Sequence, residues 1–131
     1  MTREIKFRAK VKHHDPMRNP ENGWVEGFYF QDLTQGEMRS YIFQPPCSWE
    51  VIPETVGQFT GLLDKNGKEI WEHDIVDWDG VMLVVEFVDG GFCMHENYEG
   101  ATLHDLFFER NEINVIGNVF DNPELLEGGA E

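Results

Sequence analysis

Cysteine and histidine are the side chains best suited to metal binding or nucleophilic chemistry, and this 131-residue chain has two cysteines and five histidines. Cys93 and His95 are two apart, so on a strand both point to one side. His104 with Asp105, and His73 with Asp74, could complete a tetrahedral set in space. The plainer reading makes Cys93 a small buried hydrophobe and the histidines surface or turn residues. No pair has zinc-finger or His-x-x-x-His spacing, so we expect no metal and no cofactor. Nucleophilic catalysis has no better support. Ser40 and Ser48 are the only serines, and neither sits in a Gly-x-Ser-x-Gly elbow. Cys47 follows two prolines that would expose it, yet no particular histidine is marked as its base. Paired carboxylates are unavoidable among 25 acidic residues and discriminate nothing. Gly90-Gly91 reads as a hairpin turn rather than a phosphate loop. The expectation is a protein that is not an enzyme.

Charge and aromatic residues are the remaining signals. The net charge is −15, unevenly spread. Residues 1–18 carry Arg3, Lys6, Arg8, Lys10, Lys12 and Arg18 against Glu4 and Asp15, leaving four basic and 23 acidic residues for the rest. One reading places these cations on the solvent face of an edge strand, where they discourage edge-to-edge pairing. The other docks the strand on the acidic face of a neighbouring subunit. Trp78, between Asp77 and Asp79, either packs in a core or serves as a surface aromatic anchor of the kind that dominates interfaces. Lys6, Arg8, Lys10 and Trp78 are therefore the candidate interface residues. Direct nucleic-acid binding is disfavoured, because phosphate contacts need a basic patch larger than one strand.

The elements that would position these residues are mostly strands. Ile5, Phe7, Ala9 and Val11 alternate with charged residues, the period of a half-buried strand. Residues 13–23 read as a loop, 24–30 as an aromatic strand with Gly27 marking a bulge or close backbone contact, 32–36 as a turn and 38–44 as a strand. Pro45-Pro46 and Pro53 punctuate an irregular segment, the expected seam between lobes at 1–58 and 59–131 that together make one compact unit. Asp79-Gly80 and Asp89-Gly90 signal hairpins, and 81–88 is apolar enough for a central strand covered on both faces. Residues 103–109 are ambiguous between helix and strand, and 113–120 form a closing strand. Asn122 fits a helix N-cap, with Pro123 opening a short C-terminal helical turn before a fraying Gly-Gly tail. The expected fold is a small N-terminal β lobe and a C-terminal SH3-like bent β-barrel. No stretch approaches a membrane span, the first ten residues are charged where a signal peptide is apolar, and two cysteines suit reduced thiols in a cytoplasm.

Residues 60–76, TGLLDKNGKEIWEHDIV, read as a hairpin whose Asn66-Gly67 tip suits a two-residue loop. This wording resembles the YopX family of phage and prophage proteins. Residues 3–9 are similar to the family's opening and 116–126, IGNVFDNPELL, to its close. The resemblance implies a fold and a phage origin without implying a biochemical activity. The chain departs from it at His73, where family members usually have glycine, and a glycine there suggests positive φ. The resulting expectation is a non-enzymatic phage or prophage accessory protein in the host cytoplasm. It would act through protein–protein contact as a homo-oligomer or on a host protein. The alternatives are an acidic nucleic-acid mimic that occupies a basic host protein and, more weakly, a metal-dependent enzyme using Cys93, His95 and His104.

Overall fold

The computed structural model describes residues 4–13, 15 and 22–127. Most of the loop expected at 13–23, the cations Arg3 and Arg18, and the Gly-Gly tail lie outside them. The chain divides into two compact units, Met1–Phe59 and Thr60–Glu131.

In the first unit, β1 (Phe7–Lys10), β2 (Trp24–Thr34), β3 (Glu37–Gln44), β4 (Cys47–Val51) and the start of β5 (Gly57–Leu63) pair antiparallel in the order β4-β3-β2-β1-β5. Ala9, Val11, Val25, Ile42 and Val51 point to one side and form the core, with Phe7, Tyr29, Trp49 and Val56 packed around them. The alternation read from the first strand holds for Phe7, Ala9 and Val11, whereas Ile5 lies before β1 and is 60% exposed. Gly27 is a close backbone contact as expected: a Cβ there would lie 2.2 Å from the Phe43 carbonyl oxygen. The sheet coils until the end of β1 meets the end of β4 in a Val11–Val51 bridge, where Lys12 N donates to Glu50 O and Ile52 N to Lys10 O, each at 2.9 Å.

Three expectations for this unit need correction. β1 is not an edge strand; it lies between β2 and β5, so its cations have no edge to protect. The segment around Cys47 is not irregular. Pro45-Pro46 is the two-residue turn of a hairpin, with Gln44 opposite Cys47, and the inward Trp49 and Val51 hold β4 to the core. Residues 32–34 belong to β2. The turn is only Gln35-Gly36, both at positive φ (53° and 78°), the geometry that matches strand twist in a two-residue loop.

In the second unit the end of β5 pairs with β6 (Glu69–Trp71). A further open sheet runs β10-β9-β8-β7-β11, from β7 (Asp74–Trp78), β8 (Val81–Val88), β9 (Gly91–His95), β10 (His104–Asp105) and β11 (Ile113–Asn118). One-turn helices α1 (Leu106–Glu109) and α2 (Glu124–Glu127) complete it. Asp79-Gly80 and Asp89-Gly90 turn with both residues at positive φ, as their sequence predicts. Leu83, Val84 and Val85 are consecutively buried, so β8 is covered on both faces. The core comprises Ile70, Val76, Leu83, Val85, Met94, Leu106 and Ile113. The pairings do not close into a barrel; the unit is mostly strand, as expected, but its sheet has free ends at β10 and β11. The ambiguous 103–109 segment is both things in turn, since Asp105 ends β10 and then caps α1 by accepting from Phe108 N at 3.2 Å.

Candidate functional site

Thr60, Asp64, Asp74, Asn118 and Asn122, in the 60–76 and 116–126 segments, turn their side chains onto backbone. Asp64 is only 5% exposed. Its Oδ1 accepts from Asn66 N (2.8 Å) and Lys68 N (2.9 Å), and its Oδ2 from Val115 N on β11 (2.8 Å). Burial alone would push the Asp64 carboxyl up. The three backbone donors and the nearby Lys68 charge outweigh burial and hold it below its ordinary value. The carboxylate thus shapes the β5–β6 loop and clips it to β11, helped by Lys65 N donating to Ile113 O and by Asn66 donating to the Asn114 side chain. The loop differs from the two-residue tip expected. Only Gly67 has positive φ, Gly67 N donates to Asp64 O, and Asp64 N donates to Lys68 O. This is a three-residue loop with a glycine bulge, because the Asp64 side chain holds Asn66 in the turn.

The other motif residues behave alike. Thr60 Oγ1 donates to Ile70 O at 2.7 Å, and buried Asp74 accepts from Trp71 N at 2.7 Å across the Glu72-His73 turn. His73 has φ of 76°, the conformation inferred from the glycine that usually stands there. Its ring lies edge-on to Phe120 at 5.3 Å. Asn118 accepts from Phe120 N and Asp121 N. Asn122 does not turn its side chain onto the helix as an N-cap. It accepts from Asn118 N at 3.2 Å and leaves its carbonyl to receive Leu125 N. Gly117 must lack a Cβ, which would stand 2.5 Å from that Asn122 oxygen. These residues hold the turns and strand ends of the fold.

The proposed metal ligands are separated by the sheet. Cys93 pairs with Glu86 and His95 with Val84, on one face, whereas His104 pairs with Met94 on the other. Among the described residues no group of three or more His, Cys, Asp or Glu could hold a metal ion. Burial, then the charges of Glu86, Asp105 and Asp89, push the Cys93 thiol up, which disfavours its thiolate. Burial opposes charge on His95, but its hydrogen bond to Glu96 O and its 3.0 Å contact with Glu86 raise its pKa. His104 lies edge-on to Trp78 at 4.7 Å. Trp78 itself is half-buried against its unit's core, the packing alternative of the two considered for it.

Lys6, Arg8 and Lys10 do converge, on the face of the first unit's sheet opposite its core. Lys6 lies 4.9 Å over the Phe59 ring, while Arg8 and Lys10 lie 4.8 and 5.6 Å over Trp24. Lys6 also approaches Glu4 and Glu26, each at 3.8 Å. The cations are half-buried and held by aromatic rings, an arrangement the charge count did not foretell. Farther along the same face of β2 are Phe28 (62% exposed) and Phe30 (40%), opposite Phe43 (37%) and Tyr41 on β3. Phe30 and Tyr41 stack at 5.0 Å and 11°. Reading the sequence for chemistry passed over these rings. The available signal was parity: Glu26, Phe28, Phe30 and Asp32 share one side of the strand, and the two acids mark that side as outward.

Two units of short antiparallel strands, pinned by buried carboxylate and amide groups, define a small, mostly β protein. The chain belongs to the YopX family, whose model, described as YopX protein, matches residues 6–127. Among solved structures it is similar to protein EF1440 from Enterococcus faecalis, at 24% identity over 95% of this chain and 99% of that one, with a TM-score of 0.52. That likeness concerns the fold alone. No curated protein matches the chain. Among the described residues no helix is long and apolar enough to cross a membrane.

Proposed function

We propose that the protein is a non-enzymatic phage or prophage accessory protein of the host cytoplasm that acts through protein–protein contact and assembles with itself. The observation that carries this reading is the aromatic face of the first unit: Phe28, Phe30, Tyr41 and Phe43 lie together on one side of β2 and β3, continuous with the ring-held cations of β1. Exposed pairs of charges contribute about 1 kcal/mol or less each, so the rings supply the attraction and the charges set register and partner choice. Sedimentation of the unmodified protein at tens of micromolar tests it. Assembly at low and moderate salt supports the reading, and a monomer in both removes it.

A monomer would bring forward the second reading, an acidic mimic of nucleic acid that occupies a basic host protein. What favours that reading is the second unit, where 17 Asp and Glu face three Lys and Arg. Its test is competition: the protein should displace a nucleic acid from such a host protein, and the displacement should weaken steeply with salt.

A further inference from the structure

A second exposed apolar feature, in the other unit, identifies what covers the aromatic face; this inference rests on the self-assembly reading above. α1 buries Leu106 and leaves Phe107 54% and Phe108 77% exposed, beside Leu103 at 52%. The two phenylalanine rings meet edge to face at 5.7 Å and so present one apolar knob. Its surroundings are acidic: Asp105, Glu109 and Glu112 lie within eight residues of one another. The nearby cation, Arg110, is held locally, with its guanidinium 4.1 Å over Phe107 and donating to the Phe107 carbonyl. Rings this exposed and contiguous mark a site of contact rather than ordinary surface.

Charge decides which surface such a knob meets. The first unit has seven Lys and Arg against eight Asp and Glu, and the second three against 17. A knob-to-knob contact would bring two strongly acidic units together. A face-to-face contact would set Lys6, Arg8 and Lys10 opposite their own copies. Knob against face avoids both and pairs acid with base across the contact.

We propose that the 103–112 knob of one copy docks on the aromatic face of a second copy. Phe107 and Phe108 meet Phe28 and Phe30, and Asp105, Glu109 and Glu112 lie toward Lys6, Arg8 and Lys10. The contact is head-to-tail, so each pair retains one open knob and one open face.

Complementation tests this directly. The knob variant carries Phe107→Ser and Phe108→Ser, and the face variant Phe28→Glu and Phe30→Glu; all four positions are exposed, and circular dichroism checks the fold of each. Phe28→Ser alone replaces the face variant if the double substitution does not fold. Each variant alone should associate more than about tenfold more weakly than the unmodified protein. An equimolar mixture should form a one-to-one pair, because the intact knob of the face variant meets the intact face of the knob variant. A knob variant that assembles like the unmodified protein, or a mixture that stays monomeric, overturns the docking while leaving self-assembly standing. An unmodified protein that is itself monomeric removes the self-assembly reading and the docking with it.

Discussion

Replacing Asp64 by asparagine changes one atom in size-matched fashion and isolates the bracket between the β5–β6 loop and β11. The carboxylate serves two loop donors through Oδ1 and Val115 N through Oδ2. An asparagine has one acceptor oxygen. If it stays with the loop, its NH2 group faces the Val115 N–H, and a buried donor is left without an acceptor, costing about 1–3 kcal/mol. The two loop bonds also fall from charge-assisted to neutral, a loss of about 0.5 kcal/mol or more each. The expected destabilisation is about 2–4 kcal/mol at neutral pH, read by urea unfolding. A pH dependence checks the cause. The folded-state pKa of Asp64 lies below its ordinary 3.8, so its contribution is fully present above that value and is lost as pH falls through the folded pKa. The gap between the two proteins should therefore narrow in acid, where the native carboxyl is itself neutral. A difference under about 0.5 kcal/mol at neutral pH, or a gap that persists well below the folded pKa, would refute the bracket.

Three further outcomes follow from local geometry. At His73, φ 76°, glycine should be tolerated within about 1 kcal/mol because relief of strain offsets the lost Phe120 contact; His73→Val should lose clearly more in the same unfolding assay, and equal losses would remove the strain argument. Gly27→Ala drives a Cβ to 2.2 Å from the Phe43 carbonyl oxygen and should destabilise by about 2 kcal/mol or more, visible as a lower melting temperature. His95, with its pKa raised above 6.5, contributes stability that is fully present below that pH and is lost as pH rises through the folded pKa. His95→Gln should flatten stability across that window by up to about 1 kcal/mol, and an unchanged slope would reject the Glu86 pairing as its cause.

What could be read in advance was local. The Asp-Gly turns, the alternation of Phe7, Ala9 and Val11, and the doubly covered β8 are set by neighbours in sequence, and each appears as expected. The positive φ at His73 followed from the resemblance rather than from histidine itself. Long-range facts were not legible. That Asp64 reaches Val115, 51 residues away, cannot be seen in a carboxylate among lysines, which looks like a solubilising tip. The same holds for β1, whose charged side suggested an edge until β2 and β5 flanked it, with Trp24 and Phe59 under the cations. β4 was hidden because two prolines look like an interruption when they in fact form the turn that starts a strand. Lys6, Arg8 and Lys10 were singled out by charge and Trp78 by type, but Trp78 packs against the second unit's core, and the rings at 28, 30, 41 and 43 needed the register of β2 on β3.

Self-contact through the first unit's aromatic face is open to direct test. Amide chemical shifts followed over a dilution series, from submillimolar to low micromolar, test both the existence and the place of that contact. The prediction is concentration-dependent shifts clustered at residues 24–30 on β2 and 39–43 on β3. Spectra that do not change with concentration, or changes confined to residues away from that face, would contradict it.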